Sequence, residues 1–171
     1  MRYLTIVRHC EAVLAGPGQS DYERVLSETG QRQAQELRGW ASDEAQLGAY
    51  GPTTALVSSA WRTKETFRRA FEETSFVSHF ETSDLIYNGR RDVSAEDLLI
   101  DLAAIDPVTT SLLVVAHNPT VHELVYALSE ELPESLRDNA YPLGGAYVLA
   151  LPDAEQVGLK KYHLVASFIP S

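Results

Sequence analysis

The sequence predicts an α/β fold, a three-layer α/β/α sandwich around a mixed, mostly parallel sheet. Three observations carry this. Short apolar runs rich in β-formers alternate with segments of helical periodicity, the pattern of strands joined by crossover helices. The last two strand-like runs have no helix between them, so an antiparallel pair is expected there and the sheet becomes mixed. The length of 171 residues, with 44% hydrophobic side chains, suits one domain spanning 1–171 with a full core. No repeat, low-complexity segment or linker divides it.

The elements follow in order. Tyr3 to Val7 is apolar, as a strand buried on both faces should be. Residues 14–26 hold Gly16, Pro17, Gly18 and Ser20 and read as a loop. A helix begins near Thr29, with Ala34, Leu37, Trp40 and Ala41 at helical spacing and Gln33, Glu36 and Arg38 on the polar side. Gly48 and Gly51-Pro52 end it. Ala55 to Val57 is a second strand, closed by Ser58-Ser59. A helix from Trp61 to Glu73 places Phe67, Ala70 and Phe71 on one face, and Phe76 to Phe80 is a third strand. Tyr87 to Arg91 is a turn. Ser94 with Asp97 three residues on predicts a capped helix over 95–105, stopped by Asp106-Pro107. Leu112 to Ala116 is a fourth strand, and a helix over 121–128 has Pro119 near its start. Strands at 146–151 and 162–168 complete the chain.

Composition narrows the function. The net charge is −10 and the sequence pI about 4.9. A surface this acidic disfavours nucleic acid and anionic membranes as partners. It also makes any local cluster of arginines informative. Cys10 is the only cysteine, which rules out an intrachain disulfide and thiolate metal clusters. No secretory h-region with a cleavage site is present, and no apolar run is long enough to span a bilayer, so a cytoplasmic location is the default expectation.

The chemistry concentrates at two strand ends. Arg8-His9 follows the first strand and His117-Asn118-Pro119 the fourth. In open parallel sheets the carboxyl ends of the strands are where ligands collect, so both imidazoles can meet in one crevice. A neutral imidazole attacks phosphorus well, and neighbouring cations help keep it neutral. Arg8 adjoins His9, and Arg62 begins the helix after another strand end. Planar guanidinium groups match phosphoryl oxygens in bidentate fashion, and phosphoryl transfer depends mainly on positioning and charge. Two arginines, an attacking His9 and a donating His117 form a sufficient set, with no metal and no cofactor expected.

The same residues resemble a family. Leu4-Thr5-Ile6-Val7-Arg8-His9-Cys10-Glu11-Ala12 is similar to the RHG opening of the histidine phosphatase superfamily, whose fold is phosphoglycerate mutase-like. Leu26-Ser27-Glu28-Thr29-Gly30 resembles its L-[ST]-x-x-G helix entry, and Ser58 to Thr66 its S-[SP]-x-x-R-[AT]-x-[EQ]-T segment. Val115 to Pro119 resembles the second histidine segment of the short phosphohistidine phosphatase (SixA-like) branch, which Leu85 to Gly89 also suits. The segments occur in family order over most of the chain, and an ordered set is far more specific than one motif. The resemblance implies that His9 becomes the phosphohistidine. It implies that Arg8, Arg62 and His117 grip the phosphoryl oxygens, with Arg24 facing the phosphate and Asn118 beside it. The substrate it implies is protein phosphohistidine. The alternatives are a small-molecule phosphomonoesterase acting on a phosphorylated metabolite and a weakly active phosphate- or phosphoprotein-binding module.

Two positions depart from the pattern. Cys10 stands where the motif has glycine; an ordinary negative φ is expected, with the thiol turned away from the phosphate. The general acid is open between Asp84, after the third strand, and Glu11. The lack of a clear general acid favours phosphoramidate or activated substrates, since a leaving imidazole needs less help than an alkoxide.

A lone His is more often structural than reactive, but Arg8 and the ordered segments shift His9 well toward chemistry. A cation near a helix N-terminus opposes the macrodipole, so Arg62 calls for an anion. Arg24, Arg90 and Arg91, judged alone, read as surface residues. His79 and His163 read as structural, and His122 has the wrong spacing to His117 for a shared metal.

Overall fold

A computed structural model describes residues 1–89 and 91–171; Arg90, in the expected turn, lies outside the described residues. Six strands form one sheet: β1 (Arg2–Arg8), β2 (Thr53–Ser58), β3 (Val77–Ser83), β4 (Ser111–Ala116), β5 (Ala146–Leu151) and β6 (His163–Phe168), in the order β3-β2-β4-β1-β5-β6. The first four are mutually parallel, whereas β5 runs antiparallel to both β1 and β6. The mixed, mostly parallel sheet expected from the sequence is therefore present.

Period-2 alternation divides the core into two layers. Leu4 and Ile6 of β1, with Leu112 and Val114 of β4, pack under α3 (Ala95–Ile105) and α4 (Thr120–Leu128) through Leu98, Leu102, Leu124 and Val125. Val7, Leu113 and Val115 pack on the other face against Ala34 and Leu37 of α1 (Glu28–Ser42) and Phe67 and Ala70 of α2 (Trp61–Ala70). Each fully buried aliphatic side chain contributes about 1.5–3 kcal/mol. Among the described residues no helix is long and apolar enough to cross a membrane.

The helix ends are built as their sequences require. Ser27 accepts from the Gly30 amide at 3.0 Å and starts α1. Ser94 accepts from the Asp97 amide at 3.1 Å while Asp97 accepts from the Ser94 amide at 3.0 Å, the expected reciprocal cap of α3.

Several expectations are corrected. Helix α1 ends at Ser42, and a 3₁₀ turn at Leu47–Tyr50 lies between it and Gly51-Pro52. Helix α2 stops at Ala70, short of Glu73. Strand β3 begins at Val77 and continues to Ser83; it is an exposed edge strand, so hydrophobicity could not mark its end, while Phe76 turns into the core against Phe71. Gln33, expected on the polar face, is buried and accepts from the Glu11 amide at 2.9 Å. The loop over 14–26 contains a 3₁₀ turn at Asp21–Glu23, stitched by Glu23 accepting from the Ser20 amide and hydroxyl. A short helix α5 (Glu134–Arg137) was not legible in the sequence.

Candidate active site

The two histidines meet because of strand register. Arg8 pairs with Ala116 at the ends of the parallel strands β1 and β4. The ladder runs one step further, with the His9 amide donating to the Ala116 carbonyl at 3.1 Å. His9 and His117 are the next residues on neighbouring strands, and their ring centroids lie 5.3 Å apart. They line a cavity of about 320 Å³ together with Arg8, Arg24, Arg62 and Asn118. Glu11, Asp21 and Asn88 complete much of its wall.

The hydrogen bonds assign the tautomers. His9 Nδ1 lies 2.7 Å from the Cys10 carbonyl oxygen, which can only accept, so Nδ1 carries the proton. Its Nε2 lone pair then faces Arg62, whose Nε–H donates to it at 3.3 Å. Arg62 Nη2 likewise donates to His117 Nδ1 at 3.3 Å, so His117 holds its proton on Nε2 and donates to the Ser58 hydroxyl at 2.7 Å. Burial drives the His9 pKa down to about 3, against a raising effect of the Cys10 carbonyl and with help from the charges of Arg62, Arg8 and Arg24. Burial, then the neighbouring His9 and Arg62, hold His117 well below the ordinary histidine range. Both imidazoles are therefore neutral at neutral pH.

The arginines arrive from three elements. Arg8 ends β1, and its Nη1 donates to the Tyr141 carbonyl at 2.6 Å. Arg24 follows the 3₁₀ turn and donates through Nε to the Val13 carbonyl at 2.7 Å. Arg62 lies in the first turn of α2 and is buried. Asp21 ties two of them together: its Oδ1 accepts from Arg24 at 3.0 Å and its Oδ2 from Arg62 at 3.1 Å and from the Tyr87 hydroxyl at 2.9 Å. Partial burial raises the Asp21 pKa, but hydrogen bonds from Arg24 and Tyr87 and the charge of Arg62 outweigh this and hold it at about 2. The buried Arg8 Nε, Asn88 Oδ1 and Asn118 Oδ1 make no hydrogen bond within the described residues, and all three side chains belong to the cavity wall.

The candidate acids separate. Glu11 lines the cavity and accepts from the Ser27 hydroxyl at 2.7 Å. Asp84 is not among the lining residues; it accepts from Ser59 at 2.5 Å beside the end of β3. His79 and His163 lie at the surface beside Glu81 and Glu130. Arg91 donates to Asp97 and the Leu85 carbonyl, away from the cavity. Among the described residues, no group of three or more His, Cys, Asp or Glu is arranged to hold a metal ion.

Cys10 resolves as expected. Among the described residues only Val108 and Ala154 combine a side chain with positive φ. The Cys10 thiol packs in the α1–α2 core layer, outside the cavity wall, and burial pushes its pKa up to about 12. Space for its sulfur comes from Gly144: a Cβ there would lie 3.2 Å from Cys10 Sγ, and φ is +68°. Gly30 allows the other close approach, since a Cβ would sit 1.9 Å from the Glu11 carbonyl oxygen. The remaining motif residues are ties. Thr66 accepts from the Cys10 amide at 3.0 Å, Glu65 from the Leu26 amide at 2.8 Å, and Thr63 donates to the Ser58 carbonyl at 2.7 Å.

Sequence reasoning missed Asp21, Ser58 and Tyr87 as members of the site. The available signal for Asp21 was Ser20-x-x-Glu23, a capping pattern that makes a helical turn and sets Asp21 and Arg24 on one side of it.

No protein-family profile matches the chain, and neither does any curated protein. Solved structures do match. A chain from Agrobacterium tumefaciens, assigned as the phosphohistidine phosphatase SixA, has 25% identity and a TM-score of 0.76, covering 99% of each chain. One from Nakamurella multipartitia with the same assignment has 24% identity and a TM-score of 0.73, covering 99% of this chain and 96% of that one. The protein histidine phosphatase SixA in complex with tungstate has 19% identity and a TM-score of 0.74, covering 98% and 97%. The resemblance to the SixA-like branch of the histidine phosphatase superfamily thus extends over the whole described fold.

Proposed function

We propose that this protein is a phosphatase that passes the phosphoryl group through His9, and that protein phosphohistidine is its substrate. The observation that carries this reading is the His9 tautomer: Nδ1–H is fixed on the Cys10 carbonyl, and the Nε2 lone pair faces the Arg62 guanidinium. That is an attacking nitrogen beside the donor that would hold the transferring group. The neighbouring structures assigned as phosphohistidine phosphatases support the same class.

His9 Nε2 attacks phosphorus in line. The Nε2–P bond forms as the bond from phosphorus to the substrate nitrogen breaks, and the released imidazole takes a proton from solvent. The phosphoryl oxygens replace the two imidazole nitrogens as acceptors for Arg62 Nε and Nη2, with Arg8 and Arg24 adding charge. Water then attacks phosphorus, the Nε2–P bond breaks, and phosphate leaves with His9 neutral again and Nδ1–H still on Cys10. For His117 to donate to an oxygen, its proton shifts from Nε2 to Nδ1. The Ser58 hydroxyl accepts from Nε2 in one tautomer and donates to it in the other, so neither form is left unpaired.

The carboxylates of the wall favour an undemanding leaving group. Asp21 is ionised and held by two arginines, and Glu11 is bonded to Ser27. A leaving imidazole needs less proton donation than an alkoxide, which favours phosphohistidine over alkyl phosphates. The guanidinium groups supply the positive charge, so the proposed reaction uses no metal.

The test is hydrolysis of an aryl phosphate, a phosphohistidine protein and a sugar phosphate by wild type and His9→Ala. The reading expects the first two to be cleaved by wild type alone, with the sugar phosphate cleaved far more slowly. Hydrolysis that survives His9→Ala, or a preference for the sugar phosphate, contradicts it.

A further inference from the structure

The guanidinium of Arg62 has two usable edges, and they face different things. Its Nε and Nη2 hydrogens point at His9 Nε2 and His117 Nδ1, each at 3.3 Å. The end of the group is taken by Asp21: Nη1 donates to the Asp21 backbone carbonyl at 2.8 Å and Nη2 to its Oδ2 at 3.1 Å. Nη2 thus contributes one hydrogen to each side. Tyr87 buttresses the arrangement, donating its hydroxyl to Asp21 Oδ2 at 2.9 Å while Arg62 Cζ lies 5.9 Å from its ring centroid. Asp21 Oδ1 meanwhile holds Arg24 at 3.0 Å.

We infer that Asp21 is a positioning residue for phosphoryl transfer, gripping the end of Arg62 through both its carbonyl and its carboxylate so that the Nε/Nη2 edge is presented to the transferring group. The inference rests on the phosphatase reading above. A long side chain at the start of a helix has many rotamers, and a fork bonded at its far end retains few of them. Orientation of this kind acts on the transition state, where charge spreads over the equatorial oxygens, more than on ground-state binding. Asp21 comes from a 3₁₀ turn outside the sheet, so the phosphoryl edge depends on a segment remote in sequence from Arg62.

The experiment compares wild type, Asp21→Asn, Asp21→Ala, Arg62→Ala and the Asp21→Ala/Arg62→Ala double variant. For aryl phosphate hydrolysis, Asp21→Ala is expected to lower kcat at least about tenfold with KM within about threefold, the signature of a lost transition-state interaction. Asp21→Asn, which keeps the backbone carbonyl contact and one side-chain oxygen, is expected to fall between Asp21→Ala and wild type. In the Arg62→Ala background the same Asp21→Ala change is expected to cost clearly less than it does alone, because only the hold on Arg24 is then left to lose. A KM effect without a kcat effect, or losses that simply multiply in the double variant, overturns the inference.

A second readout is independent of turnover. The Arg62 Nε–H resonance is expected to be sharp and slowly exchanging in wild type and to broaden or vanish in Asp21→Ala. An unchanged resonance overturns the positioning role even if the protein proves to be a phosphatase. Loss of that resonance, in a protein whose hydrolysis does not depend on His9, leaves the grip of Asp21 on Arg62 standing and overturns the route through His9.

Discussion

Arginines are buried at both ends of β1, and they differ in what their remaining N–H groups face. At the start, Arg2 makes a bidentate pair with Asp106 at 2.7 and 2.8 Å and also donates to the Thr110 and Glu155 carbonyls. The pair is almost wholly inaccessible, with side-chain exposures of 5% and 0%. Asp106 further accepts from the Val108 and Val157 amides, and these partners outweigh burial to keep its carboxyl below the usual range. At the other end, Arg62 is also held by a carboxylate and a carbonyl, both from Asp21, but it sends two further N–H groups to neutral imidazole nitrogens on the wall of the cavity. A buried guanidinium whose hydrogen bonds all end on a carboxylate and carbonyls is structure. One aimed at uncharged acceptors around a cavity is arranged for an anion that comes and goes.

That contrast can be broken by substitution. The largest effect is expected from His9→Ala, which should cut aryl phosphate turnover at least about 10³-fold with the far-ultraviolet spectrum unchanged. Asp106→Ala should act in the opposite sense, losing about 3–5 kcal/mol in denaturant unfolding because Arg2 is left buried and unpaired, while kcat per folded molecule stays the same. Arg62→Lys keeps the charge but loses the fork, and kcat should drop about 10²-fold in steady-state assays. If Asp106→Ala abolished turnover in folded protein, or Arg62→Lys were silent, the division between the two ends would fail.

Legibility divides along similar lines. The apolar runs, the Ser94–Asp97 cap and the strand-end histidines could be read because periodicity and local capping are properties of neighbouring residues. The meeting of His9 with His117 depends on the Arg8–Ala116 register, a long-range pairing; their place at strand ends and the ordered motifs pointed to it, but neither fixes the register. Asp21 was hidden because it lies in a polar segment with no hydrophobic period. Its partners, Arg62 and Tyr87, are remote in sequence. Asp84 shows the converse: it follows a strand end as an acid should, yet its carboxylate is turned to Ser59 and not to the cavity. Gln33 was misplaced because the helical period marks a face, and cannot tell a polar side chain that bonds a buried amide from one in water.

Smaller effects sharpen the account. Gly144→Ala should cost about 1–2 kcal/mol for a side chain at positive φ, with part of any additional crowding against Cys10 Sγ relieved by Cys10→Gly; paired unfolding curves give both numbers. Acid should weaken the fold through the two histidines. Their folded pKa values are depressed, His9 to about 3, so the unfolded chain takes up protons first. Their contribution is complete above about pH 6.5 and is lost as pH falls from there toward the folded values. Unfolding free energy measured against pH should therefore begin to fall near pH 6.5 in wild type, and fall less steeply between pH 6 and 4 in His9→Ala.

The central claim is that His9 Nε2 carries the phosphoryl group, and rapid quenching of the enzyme during turnover of a labelled phosphohistidine protein tests it most directly. The account predicts an acid-labile, base-stable label on His9, bonded at Nε2 and absent from His9→Ala. A label on a carboxylate or on another histidine, or turnover on His9→Ala at the wild-type rate, would contradict it.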